Sequence, residues 1–198
     1  MTLMTRKGLF AQNSRLCAEA DAMLSETGLG TVLHEAGYEP VGSYVMGTMT
    51  WRDLDFERTE EPPDWQRHWS LGAKLAQNTW IWRLACIDGY RDPRSPEGDF
   101  GFYWGLRLDY PKGGPIWKLD LWTARLTEFE SGWQKRAAWM SKLTEEARFH
   151  ILAIKNAVWD SPEYGSSLLS VHIYEAVLNN NIRGIREFRD WWEKRYRK

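Results

Sequence analysis

Gly42-Ser43-Tyr44-Val45-Met46-Gly47-Thr48-Met49-Thr50-Trp51-Arg52-Asp53-Leu54-Asp55-Phe56 is the stretch on which the fold turns. Asp53 to Arg58 alternates charged and apolar residues, the pattern of a half-buried strand. On such a strand Asp53 and Asp55, two positions apart, project from the same face and can share or bridge hard cations such as Mg²⁺, which take oxygen ligands. Upstream, Tyr38 to Tyr44 reads as a strand running into a turn that contains Gly42 and Ser43. A glycine there lets backbone N–H groups approach a phosphate closely, and the Ser43 hydroxyl adds a donor. Together the turn and the carboxylate pair suit phosphoryl chemistry. On spacing alone, the same residues equally describe a solvated acidic strand and an ordinary turn.

On the N-terminal side, Asn13 or Ser14 can cap a helix with the apolar stripe Leu16, Ala20, Met23 and Leu24, ending at Gly28 and Gly30. A short helix through Leu33 stops at Gly37. Downstream, Pro62, Pro63 and Asp64 start a helix with the stripe Trp65, Trp69, Gly72, Ala73 and Ala76. Three strands follow. Trp80 to Ile87 sets Trp80, Trp82, Leu84 and Cys86 on one face. The next puts Phe100, Phe102, Trp104, Leu106 and Leu108 opposite Gly101, Tyr103, Gly105, Arg107 and Asp109; Ile116 to Trp122 puts Trp117, Leu119 and Leu121 opposite Lys118 and Asp120. Pro111 to Pro115 reads as the hairpin loop between the last two. If residues 111 and 116 face each other, Arg107 opposes Asp120 and Asp109 opposes Lys118; charge favours this register over the one that sets Arg107 against Lys118.

From about Thr123 the texture is helical, with stripes Leu143-Ala147-Ile151-Ile154-Val158, Leu169-Ile173-Val177 and Ile185-Phe188-Trp192-Tyr196. The segregation of helices from a mixed sheet makes the fold α+β, with a sheet-containing domain over 1–123 and a C-terminal helical region over 124–198.

Composition narrows the function classes. In 198 residues, 26 Lys+Arg balance 27 Asp+Glu for a net charge of -1, so no broad grip on nucleic acid or anionic lipid is advertised. Cys17 and Cys86, the 2 cysteines, read as small buried residues in a reducing compartment. No segment approaches the roughly 18 apolar residues of a membrane span, and Met1 to Phe10 lacks the apolar core of a signal peptide; a soluble, cytoplasmic protein with no membrane partner is expected. His34, His68, His150 and His172 lack paired metal-ligand spacing and read as surface or core residues. The 13 Trp fall mostly on apolar faces and read as core, with Trp51 and Trp122 best placed to stack on a base or an acceptor ring. The basic, aromatic run Arg183 to Lys198 reads as a packed amphipathic helix rather than an RNA grip.

The order Val41-Gly42-Ser43, Gly47, Asp53-Leu54-Asp55-Phe56 resembles the signature of the nucleotidyltransferase superfamily that includes DNA polymerase beta, particularly its small bacterial members related to aminoglycoside and lincosamide nucleotidyltransferases. The resemblance implies a mixed sheet with helices packed on one side, metal-binding carboxylates at Asp53 and Asp55, one or two Mg²⁺ ions, and an NTP held at Gly42 and Ser43. It also implies a third strand carboxylate that serves as metal ligand and general base. Asp120, flanked by Leu119 and Leu121, fits that part better than Asp109. Where many small members carry Arg before the second Gly and Ser before the Asp pair, this chain has Met46 and Arg52. Met46 removes a phosphate partner, and Arg52 reads as a surface residue. The implied activity is transfer of a nucleoside monophosphate from NTP to a hydroxyl of a small molecule or a protein, with nucleic acid disfavoured as a partner and an oligomer compatible. The alternative is a catalytically decayed module that binds a nucleotide or a protein partner, as in a toxin and antitoxin pair.

Overall fold

The computed structural model describes residues 4–92 and 101–196. Phe100, expected to begin a strand, and Arg197 and Lys198 of the basic tail lie outside the described residues. The element order is α1 (Arg6–Glu26), α2 (Leu29–Glu35), β1 (Glu39–Val41), α3 (Gly42–Val45), β2 (Asp53–Thr59), α4 (Trp65–Leu75), β3 (Ile81–Asp88), β4 (Phe102–Asp109), β5 (Ile116–Ala124), α5 (Leu126–Met140), α6 (Glu145–Val158), α7 (Ser170–Asn180) and α8 (Ile185–Tyr196). The fold is α+β, with a five-stranded mixed sheet. Two compact units interleave along the chain: one takes in 18–45 and 52–134, the other 1–17, 46–51 and 135–198. The division therefore runs through α1 and α5 and sets residues 46–51 apart, instead of falling at one point after Thr123.

In the sheet unit the strand order is β1-β2-β5-β4-β3, with β2 and β5 parallel and the other neighbours antiparallel. Period-two alternation sets its two faces: Leu54, Phe56, Trp104, Leu106, Leu108, Trp117, Leu119 and Leu121 are buried, while Asp53, Asp55, Tyr103, Lys118 and Asp120 alternate with them and stay half-buried. Both faces of β4 and β5 match the sequence reading. β3, an edge strand with a register shift between Ile81 and Arg83, does not: Trp82 is 55% exposed, and its indole N–H donates to Asp109 Oδ1 at 2.8 Å.

The expected hairpin register is corrected. Tyr110 N donates to Pro115 O at 3.1 Å, Asp109 pairs with Ile116, and Arg107 faces Lys118. Proline supplies no N–H, so a ladder closing at Pro111 would lack a donor there, and the loop closes one residue earlier on Tyr110. Cross-strand charge, on which the expectation rested, is answered elsewhere: Lys118 pairs with carboxylates of its own strand and of β2.

Two helices also depart from expectation. α1 starts at Arg6, and Asn13 sits inside it with Oδ1 accepting from Met49 N at 2.8 Å, so its carboxamide secures a loop and caps no helix. α4 starts as expected, with Asp64 accepting from Gln66 N at 2.8 Å and Arg67 N at 3.3 Å. It buries His68, Leu71, Gly72 and Leu75, whereas Trp69 is 56% exposed. The buried stripe lies one position off the expected one and shares Gly72 with it: His68 stacks on Trp104, whose ring also presses on Gly72, where a Cβ would lie 2.1 Å away.

His68 is 0% exposed and stacks on Trp104 and Trp65 at ring distances of 5.2 and 5.6 Å. Burial, assisted by the Arg58 charge, pushes its pKa from 6.5 down to about 4. Its neutral form is thus favoured in the fold, and the unfolded chain binds more protons between those values. His68 stability is full above pH 6.5 and is lost as the pH falls through about 4. A loss of roughly 3 kcal/mol across that window is expected. Comparing urea unfolding of wild type and His68→Leu from pH 7 to pH 4 checks this: the variant should lose less stability on acidification, and parallel profiles would refute the assignment.

In the helical unit Met46, Trp139, Ile151, Ile154, Val158, Ile173, Val177, Phe188 and Trp192 form a core. Residues 46–51 are bonded into this unit: Lys155, 1% exposed, donates from Nζ to Thr48 O at 2.9 Å, Thr48 Oγ1 and the Tyr174 hydroxyl are 2.9 Å apart, and Gln12 Nε2 donates to Thr50 O at 3.1 Å. No helix among the described residues is long and apolar enough to cross a membrane.

Candidate functional site

β1 pairs with β2 so that Val41 faces Asp55, and the chain turns at Gly42 directly after that pair. Gly42 has φ +69°, and a Cβ there would lie 2.6 Å from Asp55 Oδ2. Only a residue without a Cβ brings backbone this close to that carboxylate. Ser43 follows in α3, half-buried. The structure thus ends the expected strand at Val41 and turns Gly42 to Val45 into a single helical turn beside Asp55.

β2 pairs with β5 in parallel, setting Asp53 beside Lys118 and Asp55 beside Asp120. Neighbours in a parallel pair share a face, so Asp53, Asp55 and Asp120 project from the half-buried side of the sheet, as the sequence implies. Asp53, Asp55 and Asp120 are thereby gathered on the adjacent strands β2 and β5, with Gly42 at the start of α3 directly after β1, the other neighbour of β2. Asp109 stands at the end of β4, beside Ile116, bonded to Trp82 and not to Lys118 as expected.

Two residues that sequence reasoning left in minor roles shape this face. Lys118 Nζ lies 3.4 Å from Asp53 Oδ1 and pairs with Asp120 Oδ2. Burial alone would lower its pKa, but Asp53, Asp120 and Asp55 together raise it above the ordinary lysine value, so it is an ammonium throughout the physiological range. The Tyr103 hydroxyl donates to Asp120 Oδ1 at 2.8 Å, and burial and the Asp120 charge raise its pKa. Gly105 faces Asp120 across the strands, and a Cβ there would lie 2.3 Å from the Tyr103 hydroxyl; the missing side chain is the space through which Tyr103 reaches the carboxylate. Gly105 directly opposite Asp120 was the readable signal, and it needed the correct register.

Trp122 lies on the same face with its ring 4.8 Å from that of Tyr103, whereas Trp51 belongs to the helical unit. Met46 is 3% exposed in the helical core. Arg52 is engaged by Glu19, with Nη2 at 2.8 Å and Nε at 2.9 Å from Oε2.

Carboxylate oxygens are the donors a hard divalent cation takes, and Mg²⁺ is commonly held by one or two carboxylates together with substrate phosphates. Asp53 and Asp55 fit that pattern. Among the described residues, no group of three His, Cys, Asp or Glu side chains is arranged to hold a metal ion. Asp120 pairs with Asp55 in the sheet, and each of its oxygens meets a donor, Tyr103 or Lys118.

No family model and no curated protein matches the chain. Among solved structures it is similar to the GLD-2/RNP-8 complex, with a TM-score of 0.54 and 10% identity, over 88% of this chain and 64% of that chain. The chain therefore spans just under two thirds of that neighbour's length. The likeness is one of fold alone.

Proposed function

We propose that this protein is a metal-dependent nucleotidyltransferase that moves a nucleoside monophosphate from an NTP to a hydroxyl of a small molecule or a protein and releases pyrophosphate. The observation that carries the reading is the Gly42 turn packed against Asp55, with Asp53 and Asp120 on the same sheet face. A nucleotidyltransferase-like fold supports the same general reaction.

Asp53 and Asp55 would hold Mg²⁺, which when bound neutralises charge on the triphosphate and on the departing pyrophosphate. Gly42 and Ser43 offer backbone N–H groups and a hydroxyl to the phosphates. Asp120, steadied by Tyr103 and Lys118, is the general base that takes the proton of the acceptor hydroxyl as its oxygen bonds to the α-phosphorus and the bond to pyrophosphate breaks. Trp122 offers a ring for stacking on a base or an acceptor.

Asp120→Ala should lower the transfer rate at least about a hundredfold, and Asp109→Ala only a few-fold. Steady-state pyrophosphate release checks both, and reversed effects would reassign the third carboxylate. One observation favours the second reading, a catalytically decayed nucleotide-binding or protein-interaction module: an ammonium already balances part of the carboxylate charge. NTP binding by calorimetry with and without Mg²⁺ separates the two. Affinity that rises with Mg²⁺ and is lost in Asp53→Asn supports the enzyme; metal-independent affinity supports the module.

A further inference from the structure

The carboxylates of Asp53, Asp55 and Asp120 are accompanied on their sheet face by the Lys118 ammonium, and their charges sum to two negative, the complement of one divalent cation and not of two. The distribution matters as much as the sum. Lys118 contacts Asp53 and Asp120, one carboxylate on each of the paired strands β2 and β5. The other oxygen of Asp120 accepts from Tyr103, whose approach depends on Gly105. Asp120 is thus served by two protein donors, while Asp55 faces the Gly42 turn.

We infer that Lys118 takes the place of a second metal ion, so that the site binds a single divalent cation at Asp53 and Asp55 and the Lys118 ammonium supplies the remaining positive charge. The inference rests on the nucleotidyltransferase reading and deepens it. An ammonium is a point charge with rotatable donors, able to meet a carboxylate or a phosphate oxygen alike. It does not coordinate a hydroxyl and lowers its pKa far less than a bound metal ion does, so proton removal from the acceptor leans on Asp120 as general base.

The test counts ions. The full chain is titrated with Mn²⁺ in the presence of a saturating, non-hydrolysable α,β-methylene NTP analogue, and bound Mn²⁺ per protein–nucleotide complex is read from the electron paramagnetic resonance signal of the free ion. Wild type should bind one Mn²⁺, and Lys118→Met, which opens Asp53 and Asp120 to a second ion, should bind two. Two ions in wild type would overturn the single-ion inference and leave the metal-dependent reading standing. No bound Mn²⁺ would overturn both. One ion in a folded Lys118→Met, verified by circular dichroism, would show that the ammonium holds no metal position and overturn the inference. The wild-type count decides independently should that variant fail to fold.

Discussion

Asp55→Asn is expected to abolish Mn²⁺ binding and to lower nucleotidyl transfer about a thousandfold or more, the equivalent of the several kcal/mol a catalytic metal ion supplies. The same substitution should leave the metal-free protein melting within about 2 °C of wild type. Asp55 lies beside Asp120 across the parallel pair β2 and β5, and like charges at such positions repel. Lys118 meets Asp53 and Asp120 directly, and neutralising Asp55 leaves those two contacts in place. Amide for carboxylate also preserves shape, and Leu54 and Phe56 on the other face keep their burial. Thermal melts in chelator, combined with metal titration, check both halves. A large loss of melting temperature in metal-free Asp55→Asn would make Asp55 a structural residue and count against the metal site.

Gly42→Val is the second large effect. It should weaken NTP binding by about a hundredfold, whereas Ser43→Ala, which removes one hydrogen bond of about 1 kcal/mol, should weaken it several-fold. Two causes add at position 42. The backbone is at φ +69°, where a β-branched residue is strained, and the new Cβ would fall 2.6 Å from Asp55 Oδ2, so the turn or the carboxylate must move. Either movement separates the turn proposed to bind phosphate from the carboxylate proposed to bind the metal. Calorimetric titration with NTP in Mg²⁺ measures the effect, and equal affinity in wild type and Gly42→Val would remove the turn from the nucleotide site.

Strand faces were the most legible part of the sequence. Trp117, Leu119 and Leu121 against Lys118 and Asp120 follow from period-two alternation alone, and the side shared by Asp53, Asp55 and Asp120 follows once β2 and β5 pair. Register was less legible. A cross-strand charge argument pointed to Arg107 opposite Asp120, but Lys118 finds its partners along its own strand and on β2, and a proline cannot donate at the loop. The face of α4 was misread because two tryptophans outweighed a histidine in apolar count. His68 stacked on Trp104 goes with the stripe that is buried, and that contact between distant residues leaves no local trace. The bonding of residues 46–51 into the helical unit was hidden for a similar reason: it depends on Asn13, Lys155 and Tyr174, distant in sequence, reaching Met49 and Thr48. At the site, Asp53, Asp55, Asp120 and Gly42 could be named from spacing and family resemblance. The hold of Tyr103 on Asp120 could not, since it is visible only when Gly105 is known to face Asp120.

The measurement that tests the central claim most directly is release of labelled pyrophosphate from γ-labelled NTPs in Mg²⁺, across a panel of hydroxyl-bearing acceptors, with wild type and Asp55→Asn run side by side. Acceptor-dependent release by wild type that disappears both in chelator and in Asp55→Asn is the predicted result. Release that is equal in the two proteins, or absent from wild type with every NTP and acceptor while nucleotide still binds, would contradict a metal-dependent nucleotidyltransferase built on Asp53 and Asp55.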